Sequence, residues 1–297
     1  MSKSVAIVTG ASQGIGRATA VRLARDFSAL ALVARNRANL EDTAKAVRGA
    51  GAEVLVIDAD LAEPRIAQSV VDQTLAAFNR IDALLNIAGA VPQVDPFETT
   101  EAQWEAGLAL KLHGARRLTI AAWPSLMAAK GAVVLMSGNS ASFPKAPYAA
   151  VGTINAAIVA LAKAFSDKGI SDGVQVNSVL PGPVMTGRRR SYLEHWAPPA
   201  RHDRRGSYGK VSQGGRDRAL RRAGRDCRVD GIPRIARRAL DDRLGVADGR
   251  RRGEIDLIWR RTQIEDRRGI EISQLTLPGP FGAHALAVLF SLCQIWL

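Results

Sequence analysis

The chain has 297 residues, of which 47% are hydrophobic and 23% charged, and its formal net charge is +13. This length can bury a full core in one large domain or two small ones, and the composition fits a soluble globular protein. A charge of +13 could favour a nucleic-acid or membrane partner, but residues 1–198 carry 20 Lys and Arg against 16 Asp and Glu. Most of the excess lies in residues 199–297, so we predict neither partner.

Short apolar runs alternate with helical patterns along the first 198 residues. Val5–Thr9 is β-branched and ends at a glycine, as a buried strand does, and Gly14–Arg25 follows with apolar residues at helical spacing. Further strands are predicted at Ala29–Ala34, Glu53–Ile57, Ala83–Leu85, Ala132–Met136 and Val174–Val179, and further helices at Leu40–Ala50, Thr99–Leu126 and Tyr148–Phe165. Repeated strand–helix units predict an α/β fold with a doubly wound parallel sheet.

A glycine-rich turn, residues 9–16 (TGASQGIG), joins the first strand to the first helix. Glycines at such a turn allow a tight bend, close approach of the backbone to a pyrophosphate, and helix–strand packing. The helix N-terminus adds N–H groups and a partial positive charge. The pattern predicts a Rossmann-type dinucleotide site.

The TGxxxGIG spacing resembles the classical short-chain dehydrogenase/reductase family, and other family landmarks follow in order. Residues 60–61 (DL) resemble the pair that contacts adenine, residues 86–89 (NIAG) the family's NNAG, and residues 176–177 with 181–186 (VN, PGPVMT) the segment at the nicotinamide. The resemblance implies an oxidoreductase whose cofactor contacts are Gly10, Ser12, Gln13, Gly14, Ile15, Gly16, Arg35, Asp60, Leu61, Asn86, Ala88, Gly89, Pro181, Gly182, Val184 and Thr186.

The end of the second strand indicates which nicotinamide cofactor is used. An acidic residue there would bind the ribose 2′-hydroxyl, whereas a basic residue suits a 2′-phosphate. Ala34 stands where the acid is expected and Arg35 follows it. A guanidinium pairs well with phosphate, so NADP(H) is predicted in preference to NAD(H). The alternative is that Arg35 is a solvated surface residue.

The resemblance also implies a catalytic set, from which this chain departs. The family uses a Tyr as proton donor or acceptor, a Lys four residues later, a Ser that positions the substrate oxygen, and an Asn on a neighbouring helix. Tyr148 lies at the expected Tyr position, but Gly152 replaces the Lys and Lys111 replaces the Asn. A phenol whose pKa is near 10 needs adjacent positive charge to work at neutral pH.

The expected serine position is also altered. Gly138 lies where the catalytic Ser would be, between the candidates Ser137 and Ser140, and the loop to Tyr148 is shorter than usual. Two interpretations stay open. Lys111 could extend its ammonium toward Tyr148 and replace the missing cation, giving an active enzyme on a small-molecule carbonyl or secondary alcohol. Alternatively, the chain is a catalytically impaired relative that binds the nucleotide.

The region 199–297 differs from the domain at 1–198. It is rich in Arg, has neither helical nor strand periodicity, and is expected to be disordered. Back-translation from His202 onward, read one nucleotide later with permissible third bases, gives text that resembles the family's normal ending, with a stop at Leu257-Ile258. We therefore interpret this aberrant region as a frameshift, which would leave the 1–198 domain without its last helix and strand. A basic nucleic-acid arm is the alternative, but interleaved aromatics are lacking.

Three further expectations concern the setting of the protein. The two cysteines, Cys227 and Cys293, indicate no disulfide framework, and no metal site is predicted. The N-terminus enters a strand at once without a charged leader, so a cytoplasmic location is expected. Family members often pair the helices that correspond to Thr99–Leu126 and Tyr148–Phe165, which makes a homo-oligomer plausible by analogy.

Overall fold

The computed structural model describes residues 4–182, 184, 186–187, 190 and 271–273. In these residues seven strands form one sheet in the order β3-β2-β1-β4-β5-β6-β7. The strands are β1 (Val5–Thr9), β2 (Ala29–Ala34), β3 (Glu53–Asp58), β4 (Ala83–Asn86), β5 (Ala132–Met136), β6 (Gln175–Leu180) and β7 (Glu271–Ser273). The first six strands are mutually parallel, and β7 pairs antiparallel with β6.

Six α-helices connect the parallel strands. They are α1 (Gly14–Leu23), α2 (Arg37–Gly49), α3 (Ile66–Phe78), α4 (Glu101–Gly107), α5 (Ala115–Ala129) and α6 (Ala149–Asp172). A π-helical segment, Leu108–Gly114, joins α4 to α5, so the helix predicted at Thr99–Leu126 is three consecutive elements. Short π-helical segments occur frequently at functional sites.

The sheet separates two hydrophobic cores, as the alternation of strand side chains requires. In β1, Ala6 and Val8 face the core shared with α1 and α2, whereas Ile7 faces the core shared with α3, α5 and α6. All three side chains are fully buried. The doubly wound α/β fold predicted from the sequence is therefore confirmed.

The strand order reverses direction between β1 and β4, which is where open α/β sheets bind ligands. Buried Thr9, at the end of β1, holds the two strand ends together. Its Oγ1 donates to the Leu85 carbonyl at 3.2 Å and accepts from the amides of Ile87 at 2.8 Å and Ala88 at 3.0 Å. The glycine turn and the NIAG segment are thus fixed side by side.

The last helix differs from the prediction at both ends. Tyr148 is the last residue of a 3-10 turn (Ala146–Tyr148) that contains Pro147, and it is the N-cap of α6 rather than its first residue. The helix continues past Phe165 to Asp172 and ends at Gly173, whose φ of +73° suits glycine. The segment Ala146–Asp172 is long and apolar enough to cross a membrane by composition, yet its buried face also packs on the sheet as a core helix.

The described residues include only a small part of the Arg-rich region. Strand β7 pairs Ser273 with Ser178 and Glu271 with Leu180 at the edge of the sheet, and the disorder expected for 199–297 stays a prediction. The other residues of 199–297, including both cysteines and the residues from His202 to Ile258 to which the frameshift interpretation applies, lie outside the described residues.

Candidate active site

The glycine turn has a backbone that requires glycine at three places. Gly10 and Gly14 have φ angles of +66° and +56°, a region that residues with a side chain rarely adopt. A Cβ atom on Gly16 would overlap the carbonyl oxygen of Gly10, so the start of α1 can lie against the turn only when residue 16 is glycine. The turn is tight because these glycines permit it.

The N-terminus of α1 can receive a phosphate group. Gln13 precedes the helix in an extended conformation and makes no side-chain cap hydrogen bond. The first-turn amides are therefore not capped by this side chain and add to the positive end of the helix dipole. The Thr43 hydroxyl donates to the Ala11 carbonyl at 2.9 Å and braces the turn from α2. These residues fit the pyrophosphate of a dinucleotide.

The predicted cofactor residues Asp60, Leu61 and Asn86 lie at the carboxyl ends of β3 and β4. Asp60 Oδ1 accepts from the Ala62 amide at 3.0 Å, and Asp60 Oδ2 lies 3.6 Å from Arg35 Nη1. Leu61 is buried. Asn86 Nδ2 donates to Thr119 Oγ1 at 3.1 Å, while its buried Oδ1 has no hydrogen-bond partner within the described part of the chain.

The described residues of the segment after β6 contact both the loop after β5 and the glycine turn. The Pro181 carbonyl accepts from the Asn139 amide at 3.0 Å, which ties this segment to the loop after β5. The Thr186 methyl group would lie 3.5 Å from a Cβ atom on Gly14. Gly182 and Val184 stand between these two contacts, so the structure brings the predicted nicotinamide segment to the start of α1.

Lys111 lies at the centre of the candidate catalytic region. A Cβ atom on Gly89 would lie 3.0 Å from Lys111 Cδ, so the lysine stem passes closely over the NIAG segment. The ammonium donates to the Asn155 side-chain oxygen, Oδ1, and to the Ser137 carbonyl at 3.3 Å. Lys111 therefore joins the nucleotide-binding loop, the loop after β5 and α6.

Asn155 is a site residue that the sequence analysis missed. It is 97% buried, and its Nδ2 donates to Ser140 Oγ at 2.8 Å while its Oδ1 accepts from Lys111. A signal was available in the sequence, because Asn155 is a polar residue within an apolar helical run, seven residues after Tyr148. In the helix predicted at Tyr148–Phe165 that spacing is two turns, which places both residues on one face.

The residue of α6 that meets Lys111 is therefore Asn155, one turn beyond Gly152, where the cation was expected. A Cβ atom on Gly152 would lie 3.0 Å from the Ser140 carbonyl oxygen and 3.2 Å from Pro144 Cβ, so this position is filled by the loop after β5. The helix α6 begins at Ala149, after Tyr148, and Asn155 rather than Gly152 is the α6 residue that contacts Lys111.

The two candidate serines have different surroundings. Ser137 is buried and its hydroxyl donates to the Asn155 backbone carbonyl at 2.8 Å. Ser140 is half-buried, and its Oγ accepts from Asn155 Nδ2; it has no second hydrogen-bond partner among the residues that the structure describes. The Ser137 proton is thus engaged within the protein, whereas Ser140 retains a proton to donate.

Tyr148 is half-buried and lies between Ser140 and Asn155 in the sequence. Its backbone amide donates to the Lys145 carbonyl at 2.8 Å. It lies at the junction between the loop after β5 and α6. The direct effect of Lys111 on the Tyr148 phenol stays a prediction.

The glycine turn at the sheet reversal and the nearby cluster of Lys111, Ser140 and Asn155 are the arrangement of an α/β protein of the oxidoreductase class. The family model described as short chain dehydrogenase matches residues 4–196. The chain belongs to the short-chain dehydrogenase/reductase family.

Relatives of known structure and sequence agree with this assignment. The chain is 36% identical over 185 residues to 11-beta-hydroxysteroid dehydrogenase 1A of Arabidopsis thaliana, covering 61% of this chain and 52% of that protein. L-Sorbose reductase from Gluconobacter frateurii, complexed with NADPH and L-sorbose, aligns with a TM-score of 0.61 and 27% identity over 66% of this chain and 81% of its own. An NAD+-bound xylitol dehydrogenase aligns with a TM-score of 0.61 and 28% identity over 64% and 75% of the two chains.

The similarity covers only part of several relatives. The chain spans 71% of an oxidoreductase from Mycobacterium tuberculosis but 59% and 52% of two Arabidopsis relatives. The two solved structures also hold different cofactors, one NADPH and the other NAD+.

Proposed function

We propose that the chain is an NADP(H)-dependent oxidoreductase that reduces a carbonyl, or oxidises a secondary alcohol, of a small molecule. The observation that carries the proposal is the position of Lys111, whose stem crosses the nucleotide-binding loop at Gly89 and whose ammonium reaches the loop after β5. A positive charge at this place stabilises negative charge that develops on a substrate oxygen.

The reaction divides between the cofactor and the chain. Reduction adds a hydride to the carbonyl carbon and a proton to the oxygen, and the bound dinucleotide supplies the hydride. The proton must come from the chain, and Tyr148 is the proposed donor because it holds the position at which the family resemblance expects the proton-donating tyrosine. Ser140 is the proposed hydrogen-bond donor to the substrate oxygen, since the Ser137 hydroxyl already donates to Asn155.

The preference for NADP(H) rests on the end of β2. Ala34 offers no carboxylate to a ribose hydroxyl, and the exposed Arg35 follows it within 3.6 Å of Asp60. A second guanidinium, that of Arg37, is already engaged with Asp58 at 2.8 Å. Arg35 is therefore the guanidinium proposed to pair with a 2′-phosphate.

The alternative is a nucleotide-binding relative with impaired catalysis. Two features of the described residues favour it: Gly138 replaces the expected serine, and the expected lysine position is the tightly packed Gly152. Such a protein would bind the dinucleotide without turning over a substrate.

We also propose that the chain forms a homo-oligomer. Ile120 and Met127 on α5 and Ile170 on α6 are 51%, 42% and 42% exposed. These apolar side chains lie on the two long helices that the family resemblance associates with subunit pairing. A second copy of the chain would cover them.

The deciding experiment is a titration of the full chain with NADPH and NADH, followed by turnover with a panel of ketones, aldehydes and secondary alcohols. Binding with turnover supports the oxidoreductase, and binding alone supports the impaired relative. The absence of affinity for either dinucleotide would contradict both.

A further inference from the structure

We propose that Asn155 is a positioning residue that makes Ser140 an obligate hydrogen-bond donor to the substrate oxygen, and that Lys111 fixes the orientation of Asn155 for this task. This inference rests on the proposed function, because it assigns a role toward the carbonyl or alcohol substrate. The three residues come from three separate elements: Lys111 from the π-helical segment, Ser140 from the loop after β5, and Asn155 from α6.

The first step concerns the orientation of the Asn155 amide. A lysine ammonium has three N–H donors and no acceptor, so it can contact a carboxamide only at its oxygen. Lys111 contacts Asn155 Oδ1, and the Nδ2 group consequently faces Ser140. The orientation of the amide is thereby set by the ammonium.

The second step concerns the direction of the Ser140 hydroxyl. Asn155 Nδ2 donates to Ser140 Oγ at 2.8 Å, and Oγ must accept in this bond. The Ser140 proton therefore points away from Asn155, and it has no acceptor among the described residues. A carbonyl or alkoxide oxygen bound beside Ser140 would receive that proton as a hydrogen bond.

The third step is electrostatic. The charge on Lys111 polarises the buried amide, and a polarised amide strengthens the next hydrogen bond in a chain. The positive charge thus acts on the substrate oxygen through Asn155 and Ser140. No proton leaves Ser140 in this scheme, so the scheme adds no group-transfer step to the reaction.

Asn155→Asp tests the proposal with little change of shape. A carboxylate pairs with Lys111 but cannot donate, so the Ser140 proton would turn toward it. We expect kcat for carbonyl reduction to fall about 10²-fold, the effect of losing one donor to a developing oxyanion. The kcat of the Ser140→Ala variant should fall by the same factor. The kcat of the double variant should be no lower than that of either single variant.

The chain offers a matched control for the substitution. Gln73 Nε2 donates to Ser69 Oγ at 3.1 Å on the exposed surface of α3, which reproduces the amide–serine pair outside the site. Gln73→Glu should leave kcat unchanged. NADPH affinity should stay within about twofold of wild type in every variant, because the contacts that hold the dinucleotide are not altered.

A second measurement does not depend on turnover. In the chain without cofactor, Ser140→Ala should speed the solvent exchange of the Asn155 side-chain amide protons in NMR spectra, while those of Gln73 stay unchanged. If the wild type turns over substrate and the Asn155→Asp variant has the same kcat, this proposal is overturned and the proposed function stays intact. The same holds if the losses of kcat in the two single variants add in the double variant. No turnover in wild type would overturn both.

Discussion

A Cβ atom on Gly138 would lie 2.7 Å from Asn155 Nδ2, so the glycine and the buried amide are mutually dependent. The φ angle of Gly138 is 172°, which any residue can adopt, and the requirement for glycine is one of space. The position at which a catalytic serine is expected is therefore occupied by the amide that contacts Ser140.

Gly138→Ala should destabilise the fold by about 1–3 kcal/mol, because the added methyl group overpacks against Asn155. Urea denaturation would measure the change in the free energy of unfolding. In the Asn155→Ala background the same substitution should cost less, since the obstructing atom is gone. Equal costs in the two backgrounds would show that the two positions are not coupled.

Gly16→Ala should abolish measurable NADPH binding, because its Cβ atom would push α1 away from the Gly10 carbonyl and open the phosphate cradle. Fluorescence titration with NADPH measures the affinity, and thermal melting checks that the variant folds. Gly49→Ala, at the end of α2, is the control, since a Cβ atom there would meet nothing within 4 Å. A folded Gly16→Ala variant that binds NADPH with wild-type affinity would refute the assignment of the glycine turn as the phosphate-binding site.

Arg35→Ala should weaken NADPH binding by about 10–100-fold and leave NADH binding unchanged, since a charged hydrogen bond contributes about 1.5–3 kcal/mol. Titration with both cofactors gives the two dissociation constants. Arg37→Ala should have a smaller effect, because Asp58 already engages that guanidinium at 2.8 Å. A larger loss for Arg37→Ala would move the phosphate contact to that residue.

The hydrogen bonds of the Asp172 carboxylate predict that the stability of the fold depends on pH. Its carboxylate accepts from Trp123 Nε1 at 2.7 Å and from Lys168 Nζ at 2.9 Å, and these bonds lower its pKa below the ordinary value of 3.8. Because the folded pKa is the lower one, the stabilisation is complete above pH 3.8 and is lost as the pH falls through the folded value.

The measurement is urea denaturation of wild type and Asp172→Asn between pH 7 and pH 2. The stability difference between them should be constant near neutrality and should shrink below about pH 4. Trp123→Phe, which removes the N–H donor, should reduce the pH dependence of the wild-type carboxylate. A difference that persists unchanged to pH 2 would contradict the assigned cause.

The frameshift interpretation predicts a feature of the nucleotide sequence. A single-base displacement between Trp196 and His202 should restore an ending that resembles the family's. A chain made from the restored frame should melt at a higher temperature than the 297-residue chain, because the restored helix and strand would cover the edge of β6, where the 297-residue chain has the three-residue β7. A nucleotide sequence that no such displacement restores would refute the interpretation.

The sequence alone determined the fold and the nucleotide cradle. Strand runs such as Val5–Thr9 and the glycines of residues 9–16 are local patterns, and backbone geometry restricts them to few structures. The alternation of strands and helices then allows few topologies. The sheet and its reversal point could for this reason be predicted before any tertiary contact was known.

Only the tertiary structure decided the catalytic region. Lys111 and Asn155 are 44 residues apart, and their contact depends on the π-helical segment and on the start of α6 at Ala149. A shift of one turn along α6 replaces Gly152 by Asn155 as the partner of Lys111. Local patterns do not fix such a register, because it is set by the packing of side chains that are distant in sequence.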